Sequence, residues 1–201
     1  MQRRLDFARA HLHWTVADWS RVIWTDKSSF ELGKPVTQRR IWWSTNQKYD
    51  LESMASELIL MPPGQRQAVD FIENFYEPGL LPFMDESVKV GVAEDRKELT
   101  LMEDSALIHT AIASQQWREE NRIRKLVWPA YSPDLNPIRN LWFKMKYVVT
   151  NLFNPKRMDE LTFAVNAVWE TLPFDHVEAL LLSLPARMQM VVDQNGAPTR
   201  W

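Results

Sequence analysis

Two aspartates, Asp26 and Asp104, each close a short strand-like run: Arg21-Val-Ile-Trp-Thr-Asp26, rich in branched and aromatic residues, and Glu98-Leu-Thr-Leu-Met-Glu-Asp104. Such runs read as buried strands, and open α/β sheets place their ligands at the C-terminal ends of strands. A single acid there means little, because acids are common at exposed turns. Two acids in equivalent positions, followed by a strongly capped helix from Pro137, make a constellation. The chemistry that converging carboxylates serve is phosphoryl transfer by two metal ions about 4 Å apart, one generating the nucleophile and one stabilising the leaving oxygen. Hard divalent cations want oxygen, so two or three carboxylates must meet while phosphate and water complete the shells. The chain has no cysteine, so any metal must sit on oxygen or imidazole.

The elements that position these acids follow from periodicity. Leu5, Ala8 and Leu12 recur at helical spacing, which predicts a helix over 3–12, and Thr15-Val-Ala-Asp18 reads as a cap or short turn. Arg21–Asp26, Ser29–Leu32 and Arg39–Trp43 are strand candidates, residues 44–56 read as a loop, and Glu57–Met61 as a further strand. After Pro62-Pro-Gly64, the spacing of Ala68, Phe71, Ile72 and Phe75 predicts a helix that Pro78-Gly79 ends or kinks. Residues 87–97 read as a solvated loop, 98–104 as a strand, 110–121 as a helix and 123–128 as a strand. This alternation implies parallel strands joined by crossovers, an α/β sheet with helices on its faces. From Pro137 the chain is helical: Asn136 caps, and Ile138, Leu141, Trp142, Met145 and Val149 form the buried stripe. Helices over 158–172 and 175–192, the latter interrupted near Pro185, complete it.

At 201 residues the chain suits one domain, with 1–20 as a helical lead-in and 137–201 as C-terminal helices. Ten tryptophans point to a core with bulky anchors. The N-terminus lacks the apolar run of a secretion signal and no stretch of eighteen apolar residues occurs, so a soluble, intracellular protein is expected. A net charge of −2 does not advertise a nucleic-acid binder, although a local basic face could still grip phosphates.

Trp128-Pro-Ala-Tyr-Ser-Pro-Asp-Leu-Asn-Pro-Ile138 followed by Asn140-Leu-Trp142 resembles the third catalytic block of the Tc1/mariner transposases, which cut and rejoin DNA with three acids and a metal. Val22-Ile-Trp-Thr-Asp-Lys-Ser-Ser-Phe-Glu31 resembles the first block and Leu101-Met-Glu-Asp-Ser-Ala-Leu-Ile-His-Thr110 the second. Residues 183–196 are similar to the family's C-terminal end. The resemblance implies a ribonuclease H-like mixed sheet flanked by helices, Asp26 and Asp104 as catalytic and metal-binding acids, Mg2+ or Mn2+ as cofactor, DNA as partner and the nucleus as location. His109 matches a family histidine, and packing and catalytic roles stand equally open for it.

Three departures from the family pattern shape the expectations. Thirty-four residues separate Asp104 from position 139, the spacing of a Tc1-type triad, yet that position holds Arg139 where the family has an acid. A unit charge ~4 Å from a divalent ion is repelled by roughly 8 kcal/mol at an effective dielectric of about 20, before relaxation. Metal binding is therefore expected to be weak or absent, with Arg139 pairing with Asp26 or Asp104 or contacting a phosphate. Of the nearby acids, Asp134 lies on the capping loop and Glu103 should point opposite to Asp104. Second, residues 44–58 are short for the family, so the order 3-2-1-4-5 is expected to lose part of its first antiparallel meander, its strand 2, unless Arg39–Trp43 takes that place. Third, only some twenty residues precede the first strand, which leaves no room for the family's helix-turn-helix domains and their sequence-specific reading of DNA. A non-enzymatic alternative is a DNA-binding or dimerising module, with Arg139 and Lys146 on one helix face and Arg124 and Lys125 upstream as DNA contacts; a solvated helix face is the bland reading of the same residues.

Overall fold

A ten-residue strand, β1 (Val22–Glu31), is the axis of a five-stranded sheet. The computed structural model describes residues 1–32, 38–45, 59–61 and 67–201. On one side β1 pairs antiparallel with β2 (Gln38–Thr45), which pairs antiparallel with β3 (Ile59–Met61); on the other it pairs parallel with β4 (Thr100–Met102), and β4 with β5 (Arg124–Lys125). The order is 3-2-1-4-5. The place of strand 2 is filled by the Arg39–Trp43 segment, extended by a residue or two at each end, which is the alternative left open for that strand. The pairing of Trp24 to Glu31 with Thr45 to Gln38 gives β1 a full antiparallel partner, and the meander is short only in β3, of three residues. The two runs expected at Arg21–Asp26 and Ser29–Leu32 are one continuous strand, because that partner accompanies β1 past Asp26. Of the loop expected over 44–56, Ser44 and Thr45 belong to β2 instead; the rest of it, and the turn over 62–64, lie outside the described residues.

Alternation along β1 divides the core. Val22, Trp24 and Phe30 face helices α1 (Gln2–His11), α7 (Pro137–Val148), α8 (Met158–Glu170) and α10 (Leu184–Asp193), where Leu141, Trp142, Met145, Val165 and Met188 are buried. Ile23, with Leu99 and Leu101, faces the helices of the other layer, where Phe71, Phe75, Tyr76, Leu80, Met84 and Trp117 are buried. The predicted stripe of α7 is buried at every position, from Ile138 to Val149.

Two proline positions behave differently from one another. At Pro78 the helix continues: α3 (Ala68–Phe71) passes into a π-helical segment over Ile72–Leu80 and then into α4 (Leu81–Lys89). Wider π turns accommodate a residue that lacks an N–H and whose ring would strike the carbonyl one α-turn back, so the expected end of the helix does not occur and it takes in residues 87–89. Pro185 does divide its helix, into α9 (Phe174–Leu182) and α10, where it occupies the first turn and donates nothing that the turn needs. The helix expected over 110–121 is split at Ala111 into α5 (Leu107–Thr110) and α6 (Ile112–Glu120). The capping box of α2 (Val16–Ser20) is formed by Thr15 and Asp18. No helix among the described residues is long and apolar enough to cross a membrane.

The loop that leads into α7 is held by a buried ion pair. Arg4 on α1 donates two bonds of 2.7 Å to the two carboxylate oxygens of Asp134, and Thr199 donates its N–H and hydroxyl at 2.7 and 2.9 Å. The same guanidinium donates to the carbonyls of Gly196 and Ala197, and Arg187 donates to the Asp134 carbonyl at 2.8 Å. Gly196 has φ 87°, and a Cβ there would lie 2.6 Å from the Met1 carbonyl oxygen, so glycine is required where the tail crosses the start of α1.

Burial opposes the charge of Asp134, but the bonds from Arg4 and Thr199 outweigh it and hold the carboxyl below its ordinary 3.8. The contribution of this lowered acid is complete above pH ~4 and is lost as pH falls through the folded value. Asp134→Ala is expected to cost about 3 kcal/mol in urea unfolding at pH 7, because it strands a buried guanidinium. That deficit should shrink as the pH is taken below ~4; a deficit that stays constant with pH would contradict the clamp.

Candidate active site

Parallel pairing sets the level of the two predicted acids. Trp24 is opposite Met102, and Asp26 and Asp104 each lie two residues further on, so both stand just past the end of the β1–β4 pairing on the α7 side. Asp26 is on β1 itself with a side chain 4% exposed; Asp104 follows β4 and is 54% exposed. Asp104 Oδ1 accepts from the Ala106 N–H at 2.9 Å, an Asx turn that opens the way into α5. Both acids line one groove of about 470 Å³, together with Arg139 and the loop 128–133.

Arg139 reaches this groove from the first turn of α7. Asn136 Oδ1 accepts from the Ile138 N–H at 3.1 Å, Pro137 takes the first helical position, and Arg139 points outward beside the buried Ile138. Its Nε lies 2.7 Å from Asp26 Oδ2, with the arginine side chain 50% exposed. The approach is one of distance rather than alignment, since Oδ2 has no well-formed hydrogen bond among the described residues. Of the two partners expected for Arg139, the structure selects Asp26.

Burial pushes the Asp26 carboxyl up to about 6, against the Arg139 charge and the Lys27 backbone N–H, which pull it down; the neighbouring Asp104 adds to the rise and the Trp142 side chain opposes it. The arginine therefore compensates the buried carboxylate only in part.

Glu103 points to the opposite layer, as expected from strand alternation, and is fully buried. Its Oε1 accepts from the Tyr76 hydroxyl at 2.5 Å and lies 3.2 Å from His109 Nδ1; Oε2 lies 3.2 Å from Arg118 Nη1 and 3.3 Å from Lys125 Nζ. Burial opposes its charge, but His109, Lys125 and Tyr76 prevail and hold the carboxyl at about 2. His109 links the two layers: its Nε2 is 3.4 Å from Asp104 Oδ1, and its ring lies edge-on to Phe71 at 5.0 Å. The histidine ring thus lies between a buried carboxylate and a groove carboxylate. Sequence reasoning noticed Glu103 but not this cluster; an acid and two cations set inside apolar runs were its signal.

The other basic candidates are dispersed. Lys125 is only 26% exposed and its ammonium also donates to the Asp104 carbonyl at 3.3 Å, whereas alternation turns the exposed Arg124 to the α7 side. Lys146 lies on α7, seven residues after Arg139, with its ammonium 5.8 Å from the Phe30 ring centre. Of the acids near position 139, Asp134 is occupied by Arg4 and Thr199, and Glu103 faces away. Among the described residues no three histidines, aspartates or glutamates stand together as a metal site. The donor set therefore does not fit a divalent cation: two carboxylates meet, and the third position supplies a guanidinium.

A folded-state value of about 6 against 3.8 means that the stability from Asp26 is complete below pH ~4 and is lost as pH rises through about 6. The charged carboxylate then costs on the order of 3 kcal/mol at pH 7. Asp26→Asn is expected to be more stable than the parent chain at pH 7.5 and no more stable at pH 4, measured by unfolding across that range. Arg139→Ala should extend the decline beyond pH 6; curves parallel to the parent for both variants would refute burial as the cause.

The family described as DDE superfamily endonuclease matches residues 21–162. The Tc1 transposase of Caenorhabditis elegans is 26% identical over 217 residues, covering 98% of this chain and 77% of that protein. Among solved structures, the catalytic domain of Mos1 mariner transposase superposes with a TM-score of 0.75 at 18% identity, covering 99% of this chain and 95% of that one; the same domain is also known with raltegravir and Mg or Mn. A pre-cleavage Mos1 transpososome gives 0.78 at 17% identity, covering all of this chain and 64% of that one. The structural likeness establishes a ribonuclease H-like fold for the sheet and its flanking helices. Matched over most of its length, the chain belongs to the DDE superfamily endonucleases, as a catalytic domain of the Tc1/mariner transposase type.

Proposed function

We propose that this chain is a single Tc1/mariner-type catalytic domain, spanning 1–201, that no longer performs metal-dependent DNA cleavage and strand transfer. One observation carries the reading: Arg139 occupies the third acid's position and rests 2.7 Å from Asp26 Oδ2, so the carboxylate that would face a metal faces a guanidinium. Both neighbouring substitutes are engaged elsewhere, Asp134 by Arg4 and Glu103 by Arg118 and Lys125. Metal would have to displace a cation held at contact distance and then lie beside it, with one ligand fewer than its relatives provide. Binding of Mg2+ or Mn2+ is therefore weak or absent.

Isothermal calorimetry with MgCl2 and MnCl2 tests this directly. The parent chain should give only heats of dilution, and Arg139→Glu should bind. Binding by the parent chain, or Mg-dependent plasmid nicking that Asp104→Asn abolishes, would overturn the proposal.

A second reading, retained DNA contact without chemistry, is favoured by the half-exposed Arg139 and by Lys146 and the exposed Phe143 further along α7. Mos1 is known in a transpososome and in paired-end complexes, which supports nucleic acid and a second copy of the chain as partners of this protein. Such contact would be non-specific and electrostatic, with Arg124 exposed on the same side of the sheet and Lys125 contributing only by leaving Glu103. For each phosphate contact removed, the slope of log affinity against log salt should fall by roughly 0.9. Arg139→Ala with Lys146→Ala should therefore flatten that slope on duplex DNA; an unaltered slope and affinity would exclude this face.

A further inference from the structure

The groove beside Asp26 and Asp104 has a charged end and an aromatic wall. On the wall, Tyr131 is 97% exposed, the most exposed large apolar side chain among the described residues. Its backbone has φ 55°, a left-handed conformation unusual for a bulky side chain. The backbone is nevertheless pinned: the Tyr131 carbonyl accepts from Arg4 at 3.5 Å, Ser132 is buried with its hydroxyl donating to the Ala130 carbonyl at 3.2 Å, and Asp134 is clamped three residues on. Trp128, at the start of the same loop, is braced edge-on by Phe7 and Trp24 at 5.3 and 5.7 Å. A rigid loop in a costly conformation thus presents a ring to the groove instead of burying it.

The wall and the charged end together specify an occupant. A flat, uncharged ring system suits Tyr131 and avoids the penalty that an anion would meet at Asp104. The Arg139 guanidinium, half-exposed beside its 2.7 Å contact with Asp26, can receive an attached phosphate. A nucleobase with its backbone satisfies both. A paired base inside a duplex keeps its faces stacked on its neighbours, so only an unpaired or frayed nucleotide can lie against the ring.

We infer that Tyr131 is a stacking platform for an unpaired DNA base in the groove, acting without metal. The inference rests on the reading that the groove meets DNA and deepens it by naming single strands and frayed ends as the preferred form.

Fluorescence anisotropy in EDTA, with a labelled oligothymidylate and a blunt duplex of equal length, tests it. Tyr131→Ala and Tyr131→Gly should weaken single-strand binding by about 5- to 100-fold, while Tyr131→Trp retains it and duplex binding changes less than twofold. Glycine suits φ 55°, so Tyr131→Gly removes the ring without straining the loop, and unchanged melting temperatures confirm the fold. The platform is overturned if both oligonucleotides bind and the Ala and Gly variants match the parent, or if single-strand and duplex binding fall together. Absence of binding to either oligonucleotide by the parent chain overturns the DNA reading as well. Magnesium-dependent nicking would overturn the loss of catalysis while leaving the EDTA comparison intact.

Discussion

The parallel pairing of β1 with β4 is the constraint on which the site depends. A register that sets Trp24 opposite Met102 carries Asp26 and Asp104 to one level, and a slip of a single residue would turn one acid into the opposite layer. That register is strongly specified, because it also decides which apolar residues enter which core: Trp24 and Met102 on the α7 side, Ile23 and Leu101 on the other. The site geometry therefore persists for reasons of packing. Nothing in that packing requires the residue at position 139 to be an acid, since Ile138, Leu141 and Trp142 bury α7 whichever way its exposed first turn is charged.

Charge compensation follows one rule throughout. Asp26 has Arg139, Glu103 has Arg118, Lys125 and His109, and Asp134 has Arg4; each carboxylate that the fold withdraws from water meets a cation from another element. Where the cation is close and hydrogen-bonded, as at Asp134, the acid is held low; where the contact lacks alignment, as at Asp26, burial prevails and the acid is raised. Arg139 is thus a poor counter-ion by the standard of this same protein.

Much of this was legible in the sequence because it depends on local pattern. Asn136-Pro137 and the apolar stripe announced α7, the runs leading to Asp26 and Asp104 announced two strands, and the expected pairing of Arg139 with one of those acids is found at Asp26. What escaped depended on distant pairing. The role of residues 39–43 as the second strand is visible only once β1 is known to accept an antiparallel neighbour along its whole length. The passage of a helix through Pro78 depends on a π turn that no spacing announces. The environment of Glu103 requires Tyr76, Arg118 and Lys125 to converge from three elements, and the clamp on Asp134 joins residues 4, 134 and 199.

That last clamp also imposes an order in time. During synthesis the N-terminal helix and both acid-bearing strands leave the ribosome well before Thr199, yet the loop that walls the groove has its carboxylate bonded to Arg4 and Thr199 and its main chain to Arg187. The sheet can form while translation continues, but the wall acquires its rigid shape only when residues 187 to 199 arrive to close over it. The nascent chain therefore holds its acids in place before it has a finished groove to offer, and whatever binds along that wall must wait until Thr199 has been made.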